Sequence, residues 1–341
     1  MAITLNGTTG ITTPTYGGSV PSEYITPVTS FKNRIINGAM TIDQRNAGAS
    51  VTYPNGGSVG SEIYFVDRWA GNSTGSTRFS MQRSTVAPSG FTNSLLITTT
   101  TAGTPASGDF CYLKQDIEGL NLSDLGFGTA DAQTVTLSFW TRSSLTGTFG
   151  GSLSNSAANR RYPFPFTISV ANTWEYKTIT ITGDTTGTWL TDNGRGIGVV
   201  FNLGTGSANE STANAWGTTG ISPTGSVDLV ATASATLYIT GVQLEVGDTA
   251  TSFDYRPYGQ ELSLCQRYFE KLNGIVYGSY IGSFGASYST WFFSTEKRTA
   301  PTMNFVGTTG TAQNVSTQSA DVFATSTYPR IGAGTTASSE L

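Results

Sequence analysis

The stretch TVTLSFW, Thr134–Trp140, alternates apolar and polar side chains with a period of two. In an extended chain Val135, Leu137 and Phe139 fall on one face, and Thr136, Ser138 and Trp140 on the other. The same period recurs along the chain. TRFSMQR puts Phe79 and Met81 on one side and Arg78, Ser80 and Gln82 on the other, and GIGVVF alternates Ile197, Val199 and Phe201. SLLIT, FTISV and KTITIT are further short segments of this kind. Between them lie GNSTGS, GTPASG, TGDTTG and TDNGRG, clusters of the residues that make tight turns. Short alternating strands at such close spacing, from about Asn33 to Pro257, predict an all-β fold of two packed sheets, a sandwich or jelly roll. The 41 glycines suit the turns, and 11% aromatic residues argue against a disordered chain.

The end of this region is legible in more detail. In LYIT the apolar Leu237 and Ile239 are odd-numbered, whereas in VQLEV the apolar Val242, Leu244 and Val246 are even-numbered. The phase slips at Gly241, which predicts a β-bulge in the last strand of the sandwich. Gln243 and Glu245 are expected on the face turned away from the core. After Pro257, Leu262, Cys265, Phe269 and Leu272 recur at three- to four-residue steps. That spacing predicts an amphipathic helix of about four turns, stopped at Asn273-Gly274. GIVYGSYIGSF, YSTWFF and TMNFVG read as further strands. Residues 1–30 hold only isolated apolar positions (Ile3, Leu5, Ile11) among Gly, Thr and Pro, and read as an extended arm. The tetrapeptide GTTG recurs at Gly7, Gly217 and Gly307, at unequal spacing, which is turn chemistry and not a repeat architecture. The expected organisation is an arm at 1–30, a β-sandwich at 31–258, and a small helix-plus-β unit at 259–341.

Several function classes are narrowed by what the chain lacks. It has no histidine, so neither a Ser-His-Asp triad nor a Cys-His pair can be assembled. With two cysteines and no histidine, a zinc site is not expected. Cys111 and Cys265 are expected to be buried thiols and not a disulfide framework. Lys and Arg number 18 against 22 Asp and Glu, and they are scattered, so there is no basic footprint for nucleic acid. No apolar run is long enough to insert in a membrane, and the first residues lack the pattern of a secretory signal. The chain is expected to fold in a cytoplasm.

Seven stretches resemble structural proteins of tailed-bacteriophage tails. FKNRIINGAMTIDQRNAG is similar to the opening of the main domain of tail-fibre proteins. YFVDRWAGN, LKQDIEGL, TLSFWTRSSLTGTF, YPFPFTISVANTWEYKTITITGDTTGTW and LYITGVQLEVGDTATSFDYRPYGQELSLCQRYFEK follow in the same order. KRTAPTMNF resembles the close of the small C-terminal unit of such fibres. NTWEYKTITI and ITGVQLEVG also resemble a carbohydrate-binding module of the galactose-binding jelly-roll kind. The resemblance implies a virion protein, a tail fibre or spike that attaches to a host by binding bacterial surface polysaccharide. It implies a homotrimer, joined to a tail or baseplate protein through residues 1–30. The part before the main domain is short and has no shaft repeats, which points to a compact spike or a baseplate-proximal fibre. A structural protein of baseplate, collar or capsid decoration without a glycan site is the alternative, and a glycan depolymerase a further one.

Sugar binding needs flat rings for C–H faces and a few amide, carboxylate or guanidinium groups for hydroxyls. Trp140 and Arg142 on the non-core face of one strand, and Gln243 and Glu245 on the matching face of the last, are candidates. So are Tyr162, Trp189 and Trp216 in or beside loops, near Arg161, Asp192 and Asn193. Trp69 and Trp174 are expected to pack in the core or at its rim. Related jelly rolls carry a structural calcium, for which Asn37 and Glu245 are the candidate ligands; no other cofactor is expected. A hydrolase would have to use paired carboxylates. Asp116 and Glu118 share a strand face, but fit a turn entry or a salt bridge equally well. No catalytic residue is expected.

Overall fold

The computed structural model describes residues 4–6, 10–12, 32–54, 59–272, 293–304 and 335–341, with short strand segments at 276–277, 279–280, 287–288, 315–318, 321–324 and 330–331. Two compact units are distinguished, Met1–Lys32 and Asn33–Leu341. In the first, β1 (Thr4–Asn6) and β2 (Gly10–Thr12) pair as an antiparallel hairpin, with Leu5 opposite Ile11. The sequence segments GIVYGSYIGSF and YSTWFF lie largely outside the described residues.

The second unit is built on the alternating segments. Its strands are β3 (Val51–Thr52), β4 (Ile63–Val66), β5 (Trp69–Ser73), β6 (Arg78–Ser84), β7 (Ser94–Thr101) and β8 (Phe110–Glu118). They continue as β9 (Val135–Ser143), β10 (Gly147–Ser154), β11 (Arg161–Ile168), β12 (Glu175–Ile181) and β13 (Arg195–Thr205). After a short parallel pair, β14 (Glu210–Ser211) with β15 (Ser222–Pro223), the last strand is β16 (Thr236–Val246). One six-stranded sheet has the order β11-β10-β13-β8-β5-β4, and the other β12-β9-β16-β7-β6-β3. The neighbours in both sheets are antiparallel. The chain crosses repeatedly from one sheet to the other, so the fold is a jelly-roll β-sandwich.

The inward faces are those the alternation marks. Val135, Leu137 and Phe139 of β9 are fully buried, and so are Phe79 and Met81 of β6 and Val199 and Phe201 of β13. Phe139 meets Phe201 edge-on, with ring centroids 5.0 Å apart, which joins the two sheets at mid-core. Trp69 is buried, and its Nε1 donates to the Asn37 carbonyl at 3.0 Å. Cys111 and Cys265 are free and buried, and burial pushes both thiols up, away from thiolate chemistry.

The bulge is where the phase slip places it. The register of β16 against β9 shifts between Thr240 and Gln243, and Gly241 has φ +61°. An L residue there would be strained, and its Cβ would come within 2.6 Å of the Phe91 ring. Val242 and Leu244 return to the core, but Val246 at the strand end is 43% exposed, so the apolar face stops one residue pair short of the pattern.

The helix is shorter than its spacing implies. α1 runs only from Tyr258 to Gln266, and Phe269–Leu272, read as its last turn, is instead strand β17. That strand pairs antiparallel with Thr335–Ser338, which also pairs with Thr302–Asn304. The turn between α1 and β17 is held from the sandwich. Glu118 of β8 accepts from Arg267 Nη2 and Nε at 2.6 and 2.9 Å and from the Tyr268 hydroxyl at 2.7 Å. Ladder bonds and this buried carboxylate outweigh local helix preference, which differs by only about 0.7 kcal/mol per ordinary residue. Ile36, Ile42, Cys265 and Tyr268 form a small core of their own beneath α1.

Candidate functional site

On the outer face of the second sheet, β9 pairs Trp140 with Tyr176 of β12 and with Thr240 of β16. The Trp140 and Tyr176 rings lie 5.3 Å apart, inclined at 47°, and Tyr176 is 42% exposed. The chain leaving β16 turns back across this face. It brings Phe253 and Tyr255 against Phe91, at centroid distances of 5.1 and 5.5 Å. The Tyr255 hydroxyl ties down the Phe91 loop by donating to the Gly90 carbonyl at 2.8 Å. Between the two aromatic groups lies an open groove of about 450 Å³. Ser138, Thr251 and Ser252 add polar groups to its lining, and among the described residues no carboxylate lines it.

Gln243 and Glu245 have a different place from that expected. They point away from the sandwich core, yet are 0% and 3% exposed, because residues 250–254 cover them. Glu245 Oε1 accepts from the Thr251 amide at 2.9 Å, and Oε2 from the Thr251 hydroxyl at 2.6 Å. Gln243 Oε1 accepts from the Asp254 amide at 2.8 Å. A polar pair on a sheet face thus fixes the backbone of the groove wall instead of facing a ligand. Buried acceptors of this kind must be satisfied, and the returning segment satisfies them.

Arg142 lies two residues beyond Trp140 on the same face of β9. Its Nε donates to the Asn172 carbonyl at 2.9 Å, and its guanidinium carbon is 5.2 Å from the Tyr238 ring centroid. Trp174 packs edge-on against Tyr238 at 5.9 Å, a rim contact of the expected kind.

Tyr162, Trp189 and Trp216 are brought together, but elsewhere. They cluster with Phe127: Trp189 is 4.9 Å from Phe127 and 5.4 Å from Trp216, and Tyr162 is 5.2 Å from Trp216. The indole nitrogens of Trp189 and Trp216 donate to Thr186 and Thr182 carbonyls at 3.1 and 2.7 Å. With edge-to-face rings and spent indole donors, this group packs against the main core, and Phe127 and Trp189 also line a small cavity of about 120 Å³. Of the residues first expected near it, Arg161 donates from Nε to the Ala158 carbonyl, Asp192 accepts from the Gly194 amide, and Asn193 donates to the Arg298 carbonyl.

The two calcium candidates are each bonded to other protein groups. Asn37 is buried with φ +58°; its Oδ1 accepts from the Ile42 amide, and its Nδ2 donates to the Ile42 and Asp67 carbonyls. Glu245 is committed to Thr251 and Gln243. A calcium site gathers about six to eight oxygens, and this donor set does not fit one. Among the described residues no three His, Cys, Asp or Glu side chains gather as a metal site. Asp116 and Glu118 are ion-pair members: Asp116 with Lys114 at 2.7 Å and Arg195 at 3.1 Å, and Glu118 with Arg267 at 2.6 Å.

Phe91, Tyr176, Phe253 and Tyr255 were not singled out from sequence. Phe253 and Tyr255 share a side by alternation in SFDY, which is the one signal available. Phe91 carries none.

No protein-family model and no curated protein matches the chain. Solved structures with partial likeness include the enzymatically active domain of tailspike protein 4 of bacteriophage CBA120, at 13% identity and TM-score 0.30, covering 53% of this chain and 19% of that one. They include a family 11 carbohydrate-binding module from Clostridium thermocellum in complex with a β-1,3-1,4-mixed-linked tetrasaccharide, at 12% identity and TM-score 0.29, covering 57% and 96%. They also include the N-terminal cellulose-binding domain of Cellulomonas fimi β-1,4-glucanase C, at 15% identity and TM-score 0.27, covering 60% and 99%. Superpositions this loose transfer no residue roles to this chain.

Proposed function

We propose that the protein is a structural component of a bacteriophage tail, a fibre or spike, and that the groove over Trp140 and Tyr176 binds saccharide on the host surface. The observation that carries the reading is the open groove with aromatic rings on both sides and hydroxyls in its lining. Rings receive the C–H faces of a pyranose, while hydroxyls and peptide groups of 250–253 take its polar edge. The support for the virion setting is the resemblance of the seven quoted stretches, between Phe31 and Phe305, to tail-fibre sequences. The role proposed is adhesion; glycosidic cleavage uses two carboxyl groups flanking the bond, and the described residues that line the groove are aromatic, hydroxyl-bearing or small.

One shallow groove binds weakly. A homotrimer, repeated on the particle, raises avidity through effective concentration without any new contact. Residues 1–30 are proposed to anchor the chain to the tail or baseplate.

The test is binding of the purified protein to host cells and to an array of bacterial surface polysaccharides, with the mass in solution measured alongside. Binding that Trp140→Ala abolishes, by a particle of three chains, is the expected result. A protein that docks on virions but ignores every glycan and cell overturns the glycan reading in favour of a purely structural virion role. Release of reducing ends from host polysaccharide would replace adhesion by depolymerase activity.

A further inference from the structure

We propose that the groove selects an acidic saccharide, one with a carboxylate of the hexuronate class, and that Arg142 is the group that pairs with it. This rests on the glycan-binding reading above and names its ligand class.

Arg142 and Trp140 lie on the same outward face of β9, two residues apart, which is about 7 Å along a strand. Cross-strand register sets Trp140 beside Tyr176 and Arg142 beside Tyr238, so Arg142 lies just outside the groove lining, past its Trp140 end, where a saccharide that extends beyond Trp140 would meet it. The guanidinium is oriented before any ligand arrives. Its Nε is spent on the Asn172 carbonyl, and its guanidinium carbon lies 5.2 Å from the Tyr238 ring centroid. Among the described residues these are its partners, and no carboxylate pairs with it. Arg68, Arg160, Arg195 and Arg267 are matched by Glu340, Asp184, Asp116 and Glu118, whereas Arg142, like Arg83 and Arg161, donates to a backbone carbonyl. The two Nη groups of Arg142 therefore remain as a planar fork for a bidentate acceptor.

The groove complements that fork. Among the described residues its lining has no acid to repel an anionic ligand. A carboxylate fixed directly to a pyranose ring stays at the ring edge, so a ring stacked on Trp140 carries it toward Arg142. The chain as a whole has net charge −4, so long-range attraction does not gather polyanions, and selection has to come from this local pair. A phosphodiester offers the fork a similar pair of oxygens and is the competing source of the same chemistry.

The experiment compares wild type, Arg142→Gln and Trp140→Ala on an array of bacterial polysaccharides with neutral, phosphodiester-containing and uronate-containing members. Each uronate polymer is also printed after reduction of its carboxyls to alcohols. Wild type is expected to bind uronate polymers at least about tenfold more tightly than their reduced forms, the worth of one charge-assisted pair. Arg142→Gln is expected to keep its thermal midpoint, bind both forms equally, and lose the salt dependence of wild type. Trp140→Ala is expected to lose binding to both. A preference for neutral or phosphodiester polymers, or a carboxylate preference that survives in Arg142→Gln, overturns the inference and leaves the groove as a glycan site. No binding to any member overturns the glycan reading itself, and this inference with it.

Discussion

The side-chain amide of Gln243 donates to Glu245 Oε1 at 2.8 Å, and the two residues together hold Thr251 and Asp254 from beneath the groove. Glu245→Ala removes acceptors from a buried hydrogen-bond set. The expected outcome is a loss of about 1–3 kcal/mol in urea denaturation, together with weaker saccharide binding because residues 250–254 lose their support. Unchanged affinity in a folded Glu245→Ala protein would separate the wall from the binding function.

The two aromatic groups are expected to respond oppositely. Tyr176→Ala should weaken saccharide binding at least about tenfold while changing stability by less than about 1 kcal/mol, since the ring is 42% exposed. Trp216→Ala empties part of the cluster around Phe127 and should cost about 2–4 kcal/mol while leaving affinity unchanged. Titration calorimetry and thermal melts on the two variants decide this.

Two buried acids set opposing limbs of the pH–stability curve. Burial raises the Glu118 carboxyl, but hydrogen bonds from Arg267 and Tyr268 outweigh that and hold it below its ordinary value of 4.5. Its contribution is therefore full above that value and lost as pH falls through the lower folded value. Asp67 goes the other way: burial pushes it up to about 6 from 3.8, against the pull of Arg45 and Gln44. The folded state there holds a proton that the unfolded state releases, so stability falls as pH rises from about 4 to 6. The thermal midpoint is expected to peak between these limbs. Glu118→Gln should flatten the acid limb and Asp67→Asn the other; a monotonic curve in wild type would contradict the assignment.

Gly241 joins the bulge to the groove. Gly241→Ala forces a left-handed residue and presses a Cβ against Phe91, so a loss of about 1–3 kcal/mol is expected. The same substitution should weaken saccharide binding by displacing Phe91, measured on the folded fraction.

Period-two alternation was sufficient to determine the sandwich and the inward faces of β6, β9 and β13, because the pleat turns successive side chains to opposite sides whatever the rest of the chain does. The slip at Gly241 is equally local, and the bulge follows from it. What covers the second face of a sheet is not local. Gln243 and Glu245 look solvent-facing by phase, and only the return of residues 250–254 buries them. Trp189 and Trp216 look like loop platforms until Phe127 and the Thr182 and Thr186 carbonyls take up their faces and donors. Phe269–Leu272 fits a helical stripe, and becomes a strand because Thr335–Ser338 supplies its ladder and Glu118 holds the turn before it. Which ring meets a ligand and which completes a core depends on partners distant in the chain, and those partners meet only when the tertiary structure forms.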